Sequence, residues 1–223
     1  MATKALTLWW EEIAPDISAL SMPALVSAVR NACIQFCNET FLWTADLTRI
    51  NVEANTQSYT LTAPSDSVII GVDDVKYKQN GADDDQFVTL DPISETQKNL
   101  HDTGSWKYRT SPTPSGYFVD KDKNLLLYRI PTVASTSGLL VKVNLKPDRA
   151  CTTVDEFLYN DHFETIGHGA KADLFSRRAM PWFDGNLALV HRALFTNAIN
   201  NAKPLKTTGY TKRPMRVRMR DFV

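Results

Sequence analysis

Apolar residues recur at helical spacing between Val154 and Ala202. Phe157, Phe163, Ile166, Ala170 and Leu174 lie mostly three or four apart and form one stripe; Leu187, Val190, Leu194, Ala198 and Ile199 repeat it further on. Between the two runs Pro181 ends one helix, and Asp184 is placed to cap the next. The pattern predicts a helical hairpin. Gly167, Gly169, Ala170 and Ala172 put small residues inside the first helix. A glycine there costs about 1 kcal/mol against alanine, so either a neighbour packs close to the backbone or the helix breaks at 167–169.

An earlier helix is predicted from Ser21, a capping residue followed by Pro23, to about Glu39. Leu25, Val29, Ala32 and Phe36 make its stripe, widened by Val26, Cys33 and Cys37. The two cysteines share a face but have no further ligand at a metal-binding spacing, which makes them core residues. Leu6–Ile13 predicts a short helix ended by Pro15. The adjacent Trp9 and Trp10 cannot share one face of it, so one packs elsewhere on the chain or on another subunit.

After Trp43 the period changes to two. Leu47–Val52 and Gln57–Thr62 read as a hairpin around Asn55-Thr56. Ser67–Lys78 reads as a longer strand with a bulge or bend near Gly71, and Phe87–Leu90 returns from a loop through Asp83–Asp85. Asp91-Pro-Ile-Ser-Glu95 carries the start signals of a short helix to about His101. Tyr117–Asp120 pairs with Leu125–Ile130, and Leu139–Leu145 is an alternating strand. Helices, then strands, then helices indicate an α+β fold. The N-terminal helix and the C-terminal hairpin would form a small bundle, with an antiparallel β-sheet or sandwich inserted and an extended C-terminal arm. The corresponding segments are 1–43 (N-terminal helices), 44–150 (β-rich), 151–203 (hairpin) and 204–223 (arm).

Charge matters only at one end. From Lys203 onward seven basic residues face Asp221 alone, a net of +6, while the remaining 18 basic and 24 acidic residues leave −6. Either a basic arm binds something acidic or the segment is a solubilising tail. Its last part alternates, with Arg216, Arg218 and Arg220 on one side and Met215, Val217 and Met219 on the other. Such a strand suits addition to the sheet edge of another chain, its arginines reading acidic side chains. Nucleic acid is the competing ligand, but only Tyr210 and Phe222 are available for stacking on bases.

Candidate chemistry is sparse. The aspartates Asp83–Asp85 lack the alternating spacing of a calcium loop. His101, His162, His168 and His191 show no paired zinc spacing, and Glu164 with His168 makes at most one helical pair. No nucleophile elbow, phosphate loop or dinucleotide fingerprint occurs. No enzyme, cofactor or metal is expected. The N-terminus lacks the pattern of a signal peptide and no stretch is a membrane-helix candidate. Cys33, Cys37 and Cys151 fit reduced thiols.

Several stretches resemble the bacteriophage head–tail adaptor (connector) proteins of the neck. They are ALVSAVRNACIQFCNETFLW at Ala24–Trp43, NLLLYRIP at Asn124–Pro131, VKVNLKP at Val141–Pro147, and Phe157–Trp182. The last carries the resemblance through Ile166, Gly169, Ala170, Leu174, Pro181 and Trp182; a following helix carries it through Ala188, Phe195, Ile199 and Ala202. The likeness spans about Ala24 to Ala202 and leaves the segment after Lys203 outside. It implies a virion structural protein that forms a ring of about twelve copies beneath the portal and meets its neighbours head to tail. Such a ring extends the DNA channel, without sequence-specific binding, and offers a surface to the next tail or neck protein.

On that reading Gly167, Gly169, Ala170, Leu174, Pro181 and Trp182 serve helix packing. Lys206, Tyr210, Lys212, Arg213, Met215, Arg216, Val217, Arg218, Met219, Arg220 and Phe222 form a portal-binding arm. Trp9, Trp10, Trp106, Tyr108 and Tyr117 are candidates for subunit or tail interfaces. Two other readings stand beside it: a glycan-binding β-sandwich using the loop Trp106–Tyr117, and a DNA-binding protein using the arginines of the tail.

Overall fold

A computed structural model of the chain describes residues 2–79, 81, 86–94 and 108–208. The fold is α+β, with several antiparallel sheets between its helical parts. Strand β1 (Thr3–Ala5) pairs antiparallel with β13 (Thr153–Asp155), Lys4 opposite Val154. The expected helix at Leu6–Ile13 is a 3-10 turn, Leu6–Trp9, running into α1 (Trp10–Ile13) and a second 3-10 turn over Ala14–Asp16. Trp9 is wholly buried and Trp10 exposed. Inside, the Trp9 indole Nε1 donates to the carbonyl of Phe163 at 3.0 Å, stacks on the Phe163 ring at 5.7 Å and meets the Tyr159 ring edge-on at 5.3 Å.

Helix α2 spans Met22–Thr40, with Pro23 in its first turn. Ser21 occupies the cap position in extended conformation, but its side chain makes no capping bond. The helix ends where Phe41 turns left-handed (φ 53°) and its N–H reaches Cys37 O at 3.0 Å. Its apolar stripe, with Cys33 and Cys37, is buried.

The main sheet is built on β12 (Ser135–Pro147), whose Leu139, Val141, Val143 and Leu145 all point inward. On one side it pairs antiparallel with β5 (Ser67–Tyr77), which carries β6 (Val88–Thr89) on its far edge. On the other side lie β2 (Thr44–Asp46) and β3 (Ile50–Val52). The register of β5 against β12 shifts twice, once between Ile69 and Gly71, which is the bulge the sequence marks there. A second sheet runs in the order β4 (Ser58–Thr60), β10 (Asn124–Tyr128), β9 (Gly116–Val119) and β7 (Asp91–Pro92). A parallel pair joins β8 (Thr110–Ser111) to β11 (Ile130–Pro131).

Two local expectations are corrected. The segments 47–52 and 57–62 do not pair with each other: β3 joins β12 and β4 joins β10. Alternation identifies a strand but not its partner. The link between them is a turn with Asn55 left-handed (φ 63°), and the Tyr59 hydroxyl ties it by accepting from Glu53 N–H at 3.3 Å and donating to Thr56 O at 3.0 Å. That turn sends the chain from one sheet into the other. Asp91 and Pro92 do not begin a helix; they form β7, parallel to β9 with Asp91 opposite Gly116. A Cβ on residue 116 would lie 2.7 Å from Asp91 O, so glycine permits this approach. The rest of the predicted helix, 95–101, and Asp83–Asp85 lie outside the described residues.

Helix α3 spans Glu156–Phe175 and α4 spans Gly185–Ala202, with Pro181 between them; a short α5 follows at Leu205–Thr208. Asp155 caps α3 through Phe157 N–H, and Asp184 caps α4 by accepting from Asn186 N–H at 2.8 Å and Leu187 N–H at 3.0 Å. Helix α3 does not break at 167–169. Its irregular residue is His162 (φ −131°, ψ 23°). The buried stripe of α4 is Ala188, Phe195, Ile199 and Ala202, while Leu187, Val190 and Leu194 face outward. Of the stripe expected to pack inward, Ile199 is buried and Ala198 half-buried. The inward face is rotated by about 100°, one residue, and puts the Phe195 ring against Gly169 of α3.

Candidate assembly surfaces

The helices meet at the middle of α3. A Cβ on residue 169 would lie 2.9 Å from the Ala32 Cβ of α2 and 3.0 Å from the Phe195 ring of α4. A Cβ on residue 167 would lie 2.8 Å from the Glu12 Cγ of α1. Both glycines therefore sit where other elements touch the α3 backbone. Ala170 and Leu174 are buried beside them. In the connector Pro181 is exposed, and Trp182 is half-buried against the core, its Nε1 without a hydrogen-bond partner among the described residues.

Lys171, buried on the same helix, reaches Glu12 Oε1 at 2.8 Å and Asp16 Oδ2 at 2.7 Å. Burial would lower the pKa of its ammonium, but hydrogen bonds to Asp16 and Glu12 outweigh this and hold it raised. The cation thus fastens the N-terminal turns to α3. Sequence reading missed it; the only signal is a lysine in the otherwise small and apolar run Gly169-Ala-Lys-Ala172.

Two histidines are held neutral by their surroundings. Burial lowers the pKa of His162, which sits 4.5 Å from the Phe36 ring, Asp161 opposing the shift. Burial, then His168 and Lys171, lower the pKa of His191, whose Nδ1 lies 3.1 Å from the Nδ1 of His168. In the unfolded chain both take up a proton below the ordinary histidine value of about 6.5, while in the folded chain they resist until lower pH. The unfolded state then binds more protons, so stability falls as pH falls. The melting temperature is expected to drop between pH 7 and pH 5. His162→Phe should flatten that slope, as thermal melts followed by circular dichroism at each pH would show.

The aromatic and basic candidates among the described residues stand in different surroundings. Trp10 is exposed on α1, and Tyr108 is 81% exposed. Trp9 and Tyr117 are buried within the subunit and cannot present their rings to a partner in this conformation. Trp106 lies outside the described residues, as do Tyr210, Lys212, Arg213, Met215, Arg216, Val217, Arg218, Met219, Arg220 and Phe222 of the arm. Lys206 is bound within the subunit: its Nζ lies 2.7 Å from Asn144 Oδ1 of β12 and 2.9 Å from Asp73 Oδ1 of β5. It fixes the root of the C-terminal segment to the main sheet.

The surface that sequence reading did not foresee is the outer face of α4. Leu187 is 42%, Val190 54% and Leu194 42% exposed, and the preceding connector adds Met180 at 41% and Phe183 at 46%. Among the described residues no group of three or more His, Cys, Asp and Glu is placed to hold a metal, and no helix is long and apolar enough to cross a membrane. The cysteine thiols are buried and burial pushes their pKa values up, the reverse of what a nucleophile needs.

A family model described as SU10 adaptor protein matches residues 4–219. The match therefore includes most of the C-terminal segment, which lies outside the stretches that resemble head–tail adaptors. No curated protein matches the chain.

Proposed function

The chain belongs to the SU10 adaptor protein family, a phage head–tail adaptor family, and we propose that it is a ring-forming neck subunit that docks on the portal. The family match over residues 4–219 carries this reading. Copies of the subunit, about twelve, close head to tail around the DNA channel and offer the next tail component its surface. Residues 204–223 supply the docking arm, in which Arg216, Arg218 and Arg220 alternate with Met215, Val217 and Met219. The arm adds to an edge strand of the portal, and its arginines pair with carboxylates there.

The test is a chain truncated after Thr208, which keeps Lys206 on Asp73 and Asn144. Its melting temperature should match that of the full chain. Its affinity for purified portal assemblies, read by sedimentation and electron microscopy, should fall at least tenfold. Full-strength portal binding by the truncated chain would remove the arm from the mechanism. Of the aromatic residues on which the glycan reading rests, Tyr117 is buried, Tyr108 is exposed and Trp106 lies outside the described residues.

A further inference from the structure

Helix α4 has two apolar faces. One packs within the subunit through Ala188, Phe195, Ile199 and Ala202. The other, Leu187, Val190 and Leu194, follows the spacing i, i+3, i+7 and is open to solvent. Together with Met180 and Phe183 this open face exposes on the order of 400 Å² of side chain, about half of what each partner contributes to a standard interface. Phe183 belongs to the same end of the helix, its ring reaching to 3.9 Å from where a Cβ on Gly185 would lie.

The character of the face limits its occupant. Between Gly185 and Ala202 the only Asp, Glu, Lys or Arg is Arg192, which lies on the α2 side beside Asn31 and Gln35. Asn197 and Asn201 continue the open stripe with uncharged amides. Interface cores are depleted in charge in this way. A nucleic acid would find no lysine or arginine on this stripe for its phosphates, and the chain's own residues 209–223 would find no carboxylate for their arginines. An apolar protein surface matches it. The chain carries such groups on other elements, with Leu8 40%, Trp10 37% and Met22 44% exposed. A ring closed head to tail needs two different patches on each copy.

We propose that the outer face of α4, centred on Leu187, Val190 and Leu194, is covered by a second copy of this chain. The inference rests on the adaptor reading and deepens it by assigning the subunit contact.

The test places the photo-crosslinker benzoylphenylalanine at Val190 of the full chain, supplied in trans to the phage that encodes it. Purified particles are irradiated and crosslinked peptides mapped. A product joining two copies, at least tenfold above a control with the crosslinker at the exposed Asp122, is the expected result. A product with the portal or another virion protein, one joining position 190 to residues 209–223, or no product would each overturn the inference. If the chain is missing from the particles, the adaptor reading fails and this inference with it. If it is present but yields no product between copies, only the inference fails. In parallel, Leu194→Asp should lower the copies retained per particle at least tenfold and leave the melting temperature of the isolated subunit unchanged. Unchanged copy number would count against the proposal.

Discussion

Gly169→Val is expected to destabilise the subunit by about 3 kcal/mol, enough to remove a large share of a typical domain's stability. The position already lacks room for a Cβ, which would stand 2.9 Å from Ala32 and 3.0 Å from the Phe195 ring. Valine adds two further methyls to that crowding. Its better helix propensity returns only about 0.5 kcal/mol. Relief would require α2 or α4 to move away from α3, opening gaps along the rest of both contacts. Gly169→Ala divides the two effects, since it gains about 1 kcal/mol of propensity while meeting only the first clash. It should therefore fall close to the parent. Urea unfolding of the three proteins measures the series. A valine variant as stable as the parent would mean that the helices do not touch at residue 169.

The second large effect separates two neighbours in sequence. Trp9→Ala should cost about 3–5 kcal/mol, the range for emptying a buried aromatic site. Trp9 is wholly buried, stacks on Phe163 at 5.7 Å and donates to that residue's carbonyl at 3.0 Å. Its loss leaves a cavity against Tyr159 and Phe163 of α3 and removes a hydrogen bond between the N-terminal turn and that helix. Trp10→Ala, one residue on and exposed, should stay within about 0.5 kcal/mol in the isolated subunit. Equal effects from the two changes would show that the N-terminal turns are not anchored as described.

The reasons for these effects were legible to different degrees in the sequence. Pro23 and Asp184 mark helix starts by local chemistry, and α2 and α4 begin beside them; α3 already ends at Phe175, so Pro181 lies in the connector rather than ending the helix. The mid-helix glycines announced a close approach, though not by which element. The adjacent tryptophans required two environments, though not which one was inside. Strand partners were not legible for 47–62, because alternation is the same whichever sheet a strand joins; the left-handed Asn55 and the Tyr59 hydroxyl decide it. The facing of α4 was misread because it carries two apolar stripes about one residue out of phase. Periodicity finds both and ranks neither. The open stripe is where local pattern and packing within the subunit disagree.

The pairing of Thr3–Ala5 with Thr153–Asp155, and of Ala32 with Gly169, sets the order in which the molecule can be made. Helix α2 is synthesised early, but the backbone it rests against is translated more than a hundred residues later, on the order of ten seconds at cellular rates. Until then its cysteines and Phe36 have no α3 to bury them. The local hairpin of β9 and β10 can close while the chain is still emerging. The helical part cannot, since the loop joining its two halves contains all the strands from β2 to β13. The subunit therefore completes its fold late, and the outer face of α4 is displayed as a surface only when the remainder of the chain is already in place.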